Sequence, residues 1–448
     1  VGEIKMEHLH ASRVFMGDSL AFHIIFVMFG LTLPVLVFWF EWWGAHKKDK
    51  KSVETAYLWS KIMSLLVVTG VISGTVIALQ MSLVWPGILK FGGKVIGLPF
   101  MFETYAFLIE AVFLSLYMFT WNSKRVPRWL HLIFGVFVII GSTLSAFAIT
   151  SVNAWMNAPS GFHYVNGQIQ NPNVWQAMFS QTSLIEFFHS MPGYYLASAL
   201  FIASLYGVKL LRMKTTERRK PKQTFDWVII KRLVFFSIIC MVALVITADI
   251  TGKYLARHEP VKFAAIELVH DTDNHLPFIF GGVPSQNGEI KGPYFVVPDG
   301  LTFLVGNEKA DIRGISEYPE SLRPPSYIRA LFNIKLTLIG ILIGGLVTFL
   351  VLAKWRPKWM SENLFLVPFV VVGFLGLVIM ELGWMLTEIG RQPWAVTGYI
   401  TTQEALTKTH DITAFGYVFP AAFILMLLLT ILGVRKIVRD NTGKEVKL

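Results

Sequence analysis

Glu381, Trp384 and Glu388 stand at offsets of three and seven across the apolar run FLVPFVVVGFLGLVIMELGWML and the start of the TEIGRQPWAV that follows it. On a helix these offsets share one face. Glu103 and Glu110 repeat the seven-residue spacing in a second apolar run, and His23, His131, Glu186, His189 and Lys335 each fall within another. A charged side chain near the middle of a membrane helix costs about 2.5 to 3.5 kcal/mol on insertion scales, so such residues are functional candidates by default. Stacked carboxylates suit a proton path, because each can hold or release a proton; the alternative is that they brace helices through hydrogen bonds. A single buried imidazole serves packing as readily as ligation. Two histidines in one layer, with no HxxxH pair and Cys240 as the lone cysteine, point to haem iron more than to zinc. The residues alone therefore describe a membrane redox or proton-coupled protein, and a proton-coupled transporter is compatible with them.

The elements that must position these groups are membrane helices. The 448-residue chain is 54% hydrophobic and only 15% charged, and its apolar residues come in blocks. Runs long enough to cross roughly 30 Å of hydrocarbon occur near residues 18–42, 57–85, 96–121, 130–155, 184–211, 227–248, 327–353, 363–387 and 413–436. The expected fold is thus an all-α polytopic bundle of about nine transmembrane helices. The net charge of +11 carries no nucleic-acid signal here, because the positions of the basic residues matter more than their sum. HKKDKK, NSKRVPRW, RMKTTERRKPKQ, KWRPKW and the tail RKIVRDNTGKEVKL follow alternate spans, whereas residues 157–183 hold no Lys or Arg. The positive-inside rule then puts the N-terminus outside and the C-terminus in the cytoplasm. The first twenty residues lack the apolar core of a signal peptide. Cys240 lies within SIICMVALVI, so disulfide frameworks, cysteine-held iron–sulfur clusters and CxxCH haem attachment are excluded.

With that topology, His23, Glu103, Glu110, Glu186, His189, Lys335, Glu381, Trp384 and Glu388 share the outer layer. His131, beside NSKRVPRW, falls on the inner side and reads as an interfacial residue. Three regions follow: helices one to six in 1–248, an extracytoplasmic loop in 249–326, and helices seven to nine with the basic tail in 327–448. The loop is longer than a connection needs and is rich in aromatic and apolar residues, which favours a functional segment over a disordered one.

GWMLTEIGRQPW at 383–394 resembles the signature of subunit I of cytochrome bd-type quinol oxidases, of the short quinol-loop type. The resemblance extends to SRVFMGDSLAFHIIF at 12–26, SAFAITSVNAWMNAP at 145–159, EFFHSMPGYYLASALF at 186–201 and GKYLARHEPVKFAAIE at 252–267. It implies an enzyme that oxidises quinol near the outer face and reduces O₂ to water with cytoplasmic protons, building a proton gradient without a pump. His23 and Glu388 match axial ligands of two active-site haems, a high-spin haem b and an oxygen-reducing haem d or further haem b; which ligand serves which haem stays open. His189 matches a ligand of the low-spin haem b. Trp384 corresponds to the aromatic residue between haems, Arg391 to a guanidinium that pairs with propionates or the nearby carboxylate, and Trp394 to the same cofactor-binding set. Glu103 and Glu110 resemble the pair that serves proton delivery, and Lys262 and Glu267 the loop residues that bind and deprotonate quinol.

One position departs from the family pattern. Where the family carries a run like FRIM with a methionine ligand, residues 332–335 read FNIK. A neutral Lys335 amine can ligate iron but removes the thioether that raises the potential. A His–Lys haem, a different second ligand and a site without its usual haem all remain open. The resemblance further implies a second multi-span subunit, small single-span accessory subunits, menaquinol or ubiquinol as substrate, and a bacterial or archaeal cytoplasmic membrane. A divergent haem-binding paralogue with a sensor or weak oxidase role is the alternative within the family.

Overall fold

Apolar runs of this length have one way to satisfy their backbone in lipid, which is to hydrogen-bond within the segment as a helix. The computed structural model describes residues 2–214, 225–285, 289–306, 312–408 and 413–441. Among the described residues, nine helical segments are long and apolar enough to cross a membrane. They are α1 (Gly2–Lys47), α2 (Lys50–Leu83), α3 (Pro86–Thr120), α4 (Arg128–Asn157), α6 (Gln181–Leu211) with the short α5 (Val174–Met178) before it, α7 (Phe225–His258), α10 (Ile328–Trp355), α11 (Asn363–Gly390) and α13 (Thr413–Asn441). The remaining elements are α8 (Pro260–Glu267), α9 (Gly300–Val305), α12 (Thr402–Ala405), three single-turn 3-10 helices (Ile315–Glu317, Glu320–Leu322, Trp359–Ser361) and three two-stranded sheets, β1–β2 (His163–Val165, Gln168–Gln170), β3–β4 (Phe278–Pro284, Ile290–Val297) and β5–β6 (Trp394–Val396, Ile400–Thr401). Parts of two basic segments used for the orientation, at 215–224 and 442–448, lie outside the described residues.

The chain divides into two compact units. The first comprises residues 1–155, 160–183 and 403–448. Here α1 packs against α2 and α13. Phe22 stacks on Phe423 at 4.7 Å, and the Thr69 and Thr430 hydroxyls meet at 3.1 Å. Phe113 of α3 stacks on Phe137 of α4 at 4.4 Å. Gly141 lets α4 approach the turn of α3 that carries Glu110, since a methyl there would sit 2.8 Å from the Glu110 nitrogen.

The second unit comprises residues 156–159 and 184–402. Its central pair is α6 against α11, and glycines set the spacing. A methyl on Gly373 would meet Ser204 Cβ at 2.5 Å and the Leu200 carbonyl at 2.7 Å, and one on Gly376 the Ala197 Cα at 3.1 Å. Small residues at such crossings let membrane helices approach closely.

The connection between α7 and α10 is a folded piece. α7 continues to His258, ten residues beyond the apolar run that ends at 248. Pro260 opens α8 at a position where its missing N–H is not needed, and Leu268 closes it in a left-handed conformation at φ 60°. Phe263, Ala264, Val269, Leu301, Val305 and Ile312 form a buried cluster beneath the β3–β4 hairpin. A second cluster of Ile266, Ile328 and Leu386 ties α8 to α10 and α11.

Candidate functional site

In the first unit His23 projects from α1 toward α2. Its Nδ1 lies 2.9 Å from the Ser73 hydroxyl, and its ring rests against Gly74, where a methyl would come within 3.0 Å. Ser73 already donates to the carbonyls of Thr69 and Gly70, at 3.1 and 3.0 Å. Its oxygen therefore accepts from His23 Nδ1–H, which leaves Nε2 with the free lone pair. That is the tautomer of a metal-ligating histidine whose other nitrogen is held by a fixed acceptor. Glu110, on α3, is buried, and Glu103 two turns earlier is half-buried. His131 is buried too: its Nε2 is 3.3 Å from Glu41, which also accepts from the Tyr117 hydroxyl.

The second unit repeats the histidine arrangement. His189 Nδ1 lies 3.1 Å from Thr247 of α7, and the Thr247 hydroxyl is committed to the Ala243 carbonyl at 3.0 Å. Nε2 is again the nitrogen left with a free lone pair. Lys335 of α10 is close enough to act on His189 electrostatically, and a methyl on Gly383 would stand 3.3 Å from its Nζ. Lys335 thus reaches from α10 to α11, one residue short of Trp384. Tyr194 faces the Trp384 indole, and Glu381 Oε1 is buried without a hydrogen-bond partner among the described residues.

At the end of α11, Arg391 donates to Glu388 at 2.5 Å. The guanidinium is 6% exposed, and its Nε and Nη1 have no hydrogen-bond partner among the described residues. A buried guanidinium with spare donors calls for an acidic group of matching shape, and a haem propionate supplies one. Trp394 follows in β5, its N–H bonded to the Arg391 carbonyl at 3.0 Å. Two histidines poised at Nε2 and an arginine with unused donors fit haem.

Lys262 and Glu267 lie five residues apart on α8, which separates them by about 140° around the helix. The two side chains accordingly go to different partners. Lys262 is buried and donates to Glu259 and, at 2.8 Å, to Asn157; its stem lies across Gly390, where a methyl would meet Cγ at 2.7 Å. Asn157 in turn reaches Glu186 at 3.4 Å, and Glu186 lies within electrostatic reach of Glu259, Lys262, Glu388 and Arg391. Glu267 instead pairs with Arg329 at 3.6 Å. Burial pushes its carboxyl up to about 7, against the opposing pull of the Arg329 guanidinium.

Sequence reasoning named Glu186 without a role and passed over Asn157, Glu259 and Arg329. The signal available for Arg329 was a cation at the head of an apolar run, in YIRALF.

The family model described as cytochrome bd terminal oxidase subunit I matches residues 11–442. The chain belongs to that family. As a bd oxidase subunit I it is a multi-pass membrane protein and part of a terminal quinol oxidase, an oxidoreductase that reduces O₂. Such oxidases carry haem and pair subunit I with a second subunit. The bd oxidase of Geobacillus thermodenitrificans superposes with a TM-score of 0.89 at 31% identity, over 97% of this chain and 99% of that one. A cytochrome bd ubiquinol oxidase subunit 1 of Bacillus subtilis is 27% identical over 482 residues, covering 98% of this chain and 96% of the relative. Another Bacillus subtilis subunit I, named for a menaquinol oxidase, is 29% identical over 427 residues, 94% of each chain.

Proposed function

We propose that this subunit oxidises quinol at the α7–α10 connection, on the outer side of the membrane, and holds three haems: a low-spin haem b, a high-spin haem b, and a haem d or further haem b at the oxygen site. His189 and Lys335 are the ligands for the low-spin group, and His23 and Glu388 serve the other two. Bound haem supplies the one-electron chemistry that links quinol to O₂. Lys262 binds and orients the quinol ring oxygen, and Glu267 accepts a proton from a quinol hydroxyl, which is released outside. Glu110 and Glu103 hold protons arriving from the cytoplasm for water formation, so charge separates without a pump. Arg391 neutralises Glu388 and binds propionate, and Trp384 fills the space beside it.

One observation carries this reading: the loop lysine lies across Gly390, within a chain of polar contacts that leads through Asn157 to Glu186 beside the Glu388–Arg391 pair. It brings Lys262, assigned to quinol, and Glu388 and Arg391, assigned to haem, into one polar cluster. The relatives bear both menaquinol and ubiquinol in their names, and either is a substrate of the class this loop would take. A pyridine haemochrome spectrum of the purified membrane complex, with O₂ uptake on menaquinol and ubiquinol analogues, tests it. Haem absorbance with steady quinol-dependent uptake is expected; a haem protein that consumes no O₂ with either quinol would instead support the sensor alternative.

A further inference from the structure

Arg329, in the first turn of α10, is 0% exposed and is surrounded by acceptors from two segments, α8 and β3. Its Nη1 donates to the Ile266 carbonyl at 2.6 Å, and its Nη2 donates to the carbonyls of Ile279 and, at 3.1 Å, Gly281. Nη1 also lies 3.6 Å from the Glu267 carboxylate. A buried guanidinium is costly unless its donors are met; backbone carbonyls meet its Nη1 and Nη2 without neutralising its charge, and its Nε has no hydrogen-bond partner among the described residues. Glu267 is the carboxylate that answers it. Gly281 and Gly282 hold φ of 79° and 65°, and the strand register slips between Gly281 and Val283, so the hairpin backbone turns its carbonyls toward α10. Asn333, one turn after Arg329, takes the Gly282 carbonyl at 2.7 Å.

We propose that Arg329 is a positioning residue of the quinol site, fixed by the hairpin and α8 carbonyls so that its charge keeps Glu267 ionised to accept the proton of a hydroquinone hydroxyl. This rests on the reading of the loop as the quinol site. In the step the O–H bond breaks, the proton moves to the Glu267 carboxylate, and the electrons leave toward O₂ in the oxidase reaction. The charged group that faces Glu267 is Arg329, and Lys262 and Glu259, on and just before α8, pair with each other. The near-neutral proton affinity of Glu267 agrees with an acceptor that is refilled and emptied in each cycle.

The direction of the expected effect follows from the charge. An acceptor must be ionised, and removing a neighbouring cation favours its protonated form, so the acid limb of the rate profile moves to higher pH. A charge partner at this range shifts a carboxylate by about one to three units, and about tenfold in rate is lost per unit below the midpoint. The test is quinol-dependent O₂ uptake against pH in the haem-loaded complex, for Arg329→Gln, Arg329→Lys, Asn333→Ala and Glu267→Gln. Support is an Arg329→Gln midpoint at least about one unit higher, with Arg329→Lys near the parent midpoint and Asn333→Ala unshifted. A uniform fall at every pH, or an equal shift in Asn333→Ala, overturns the proposal. If Arg329→Gln loads no haem, Glu267→Gln with Arg329→Met is compared with Glu267→Gln alone. Equal rates then support action through Glu267, and a further fall of about tenfold (one unit of pKa in rate terms) overturns it. If Glu267→Gln itself leaves KM and kcat unchanged, the quinol-site reading fails, and this inference fails with it.

Discussion

Lys335, read from the sequence as standing in the place of a methionine ligand, has surroundings that make this reading testable. Its amine is carried toward α11 beside Gly383, with His189 in electrostatic range and poised at Nε2. Lys335→Ala is expected to abolish the low-spin haem signal while the other haem bands persist. Lys335→Met is expected to retain the signal and raise its midpoint potential in a redox titration, because a thioether favours reduced iron. An unchanged spectrum in Lys335→Ala would show that the amine is not a ligand. At Arg391 the expectation differs, since its spare donors and its pairing with Glu388 act around the cofactor rather than on iron. Arg391→Gln should lower haem retention at that site by about 10- to 100-fold, the usual cost of losing a group that orients a ligand. Haem per protein after size exclusion checks it. His23, His189, Glu381 and Glu388 were legible in the sequence because a polar residue in an apolar run is conspicuous. Asn157, Glu259 and Arg329 were not, because they lie at element ends, where polar residues ordinarily meet water. Their burial comes from the loop folding back, which no local window contains.

At the scale of elements, the spacing of α6 and α11 decides whether these side chains can meet. Gly373 and Gly376 face Leu200, Ser204 and Ala197 with no room for a side chain, so the crossing is fixed by what is absent. Gly373→Leu should force the helices apart, at a cost of about 1 to 3 kcal/mol or more, as overpacked cores show. Thermal melting of the purified complex should fall, and the haem spectrum should broaden or weaken even though no proposed ligand has changed. A leucine tolerated at parental melting temperature and spectrum would mean that the crossing does not position the site. The nine spans themselves were legible from length and apolar content alone. The last ten residues of α7 were hidden because DITGKYLARH carries charge, and hydropathy stops at the lipid while the helix does not. The β3–β4 hairpin was hidden for another reason: β4 is exposed along nearly its whole length, so it shows none of the alternation that marks a half-buried strand.

For the molecule as a whole, the proposed orientation in the membrane rests on charge distribution. The basic segments after the first, third, fifth and seventh helices alternate with connections that include residues 157–183, which hold no Lys or Arg. The positive-inside rule applies to that pattern, since short flanking loops rich in Lys and Arg stay in the cytoplasm. On the proposed orientation the α7–α10 connection lies outside, where quinol protons would be released on the positive side of the membrane. Cys240 gives a convenient background, because it is the lone cysteine and it is buried. Lys291, in β4, is exposed, so Lys291→Cys places a reactive thiol on the connection. In intact cells this variant is expected to react with a membrane-impermeant maleimide, and a cysteine at Lys124 in the basic turn after α3 only after the membrane is opened. The reverse pattern would place quinol oxidation and proton uptake on the same side, and the charge-separating part of the proposed mechanism would fall with it.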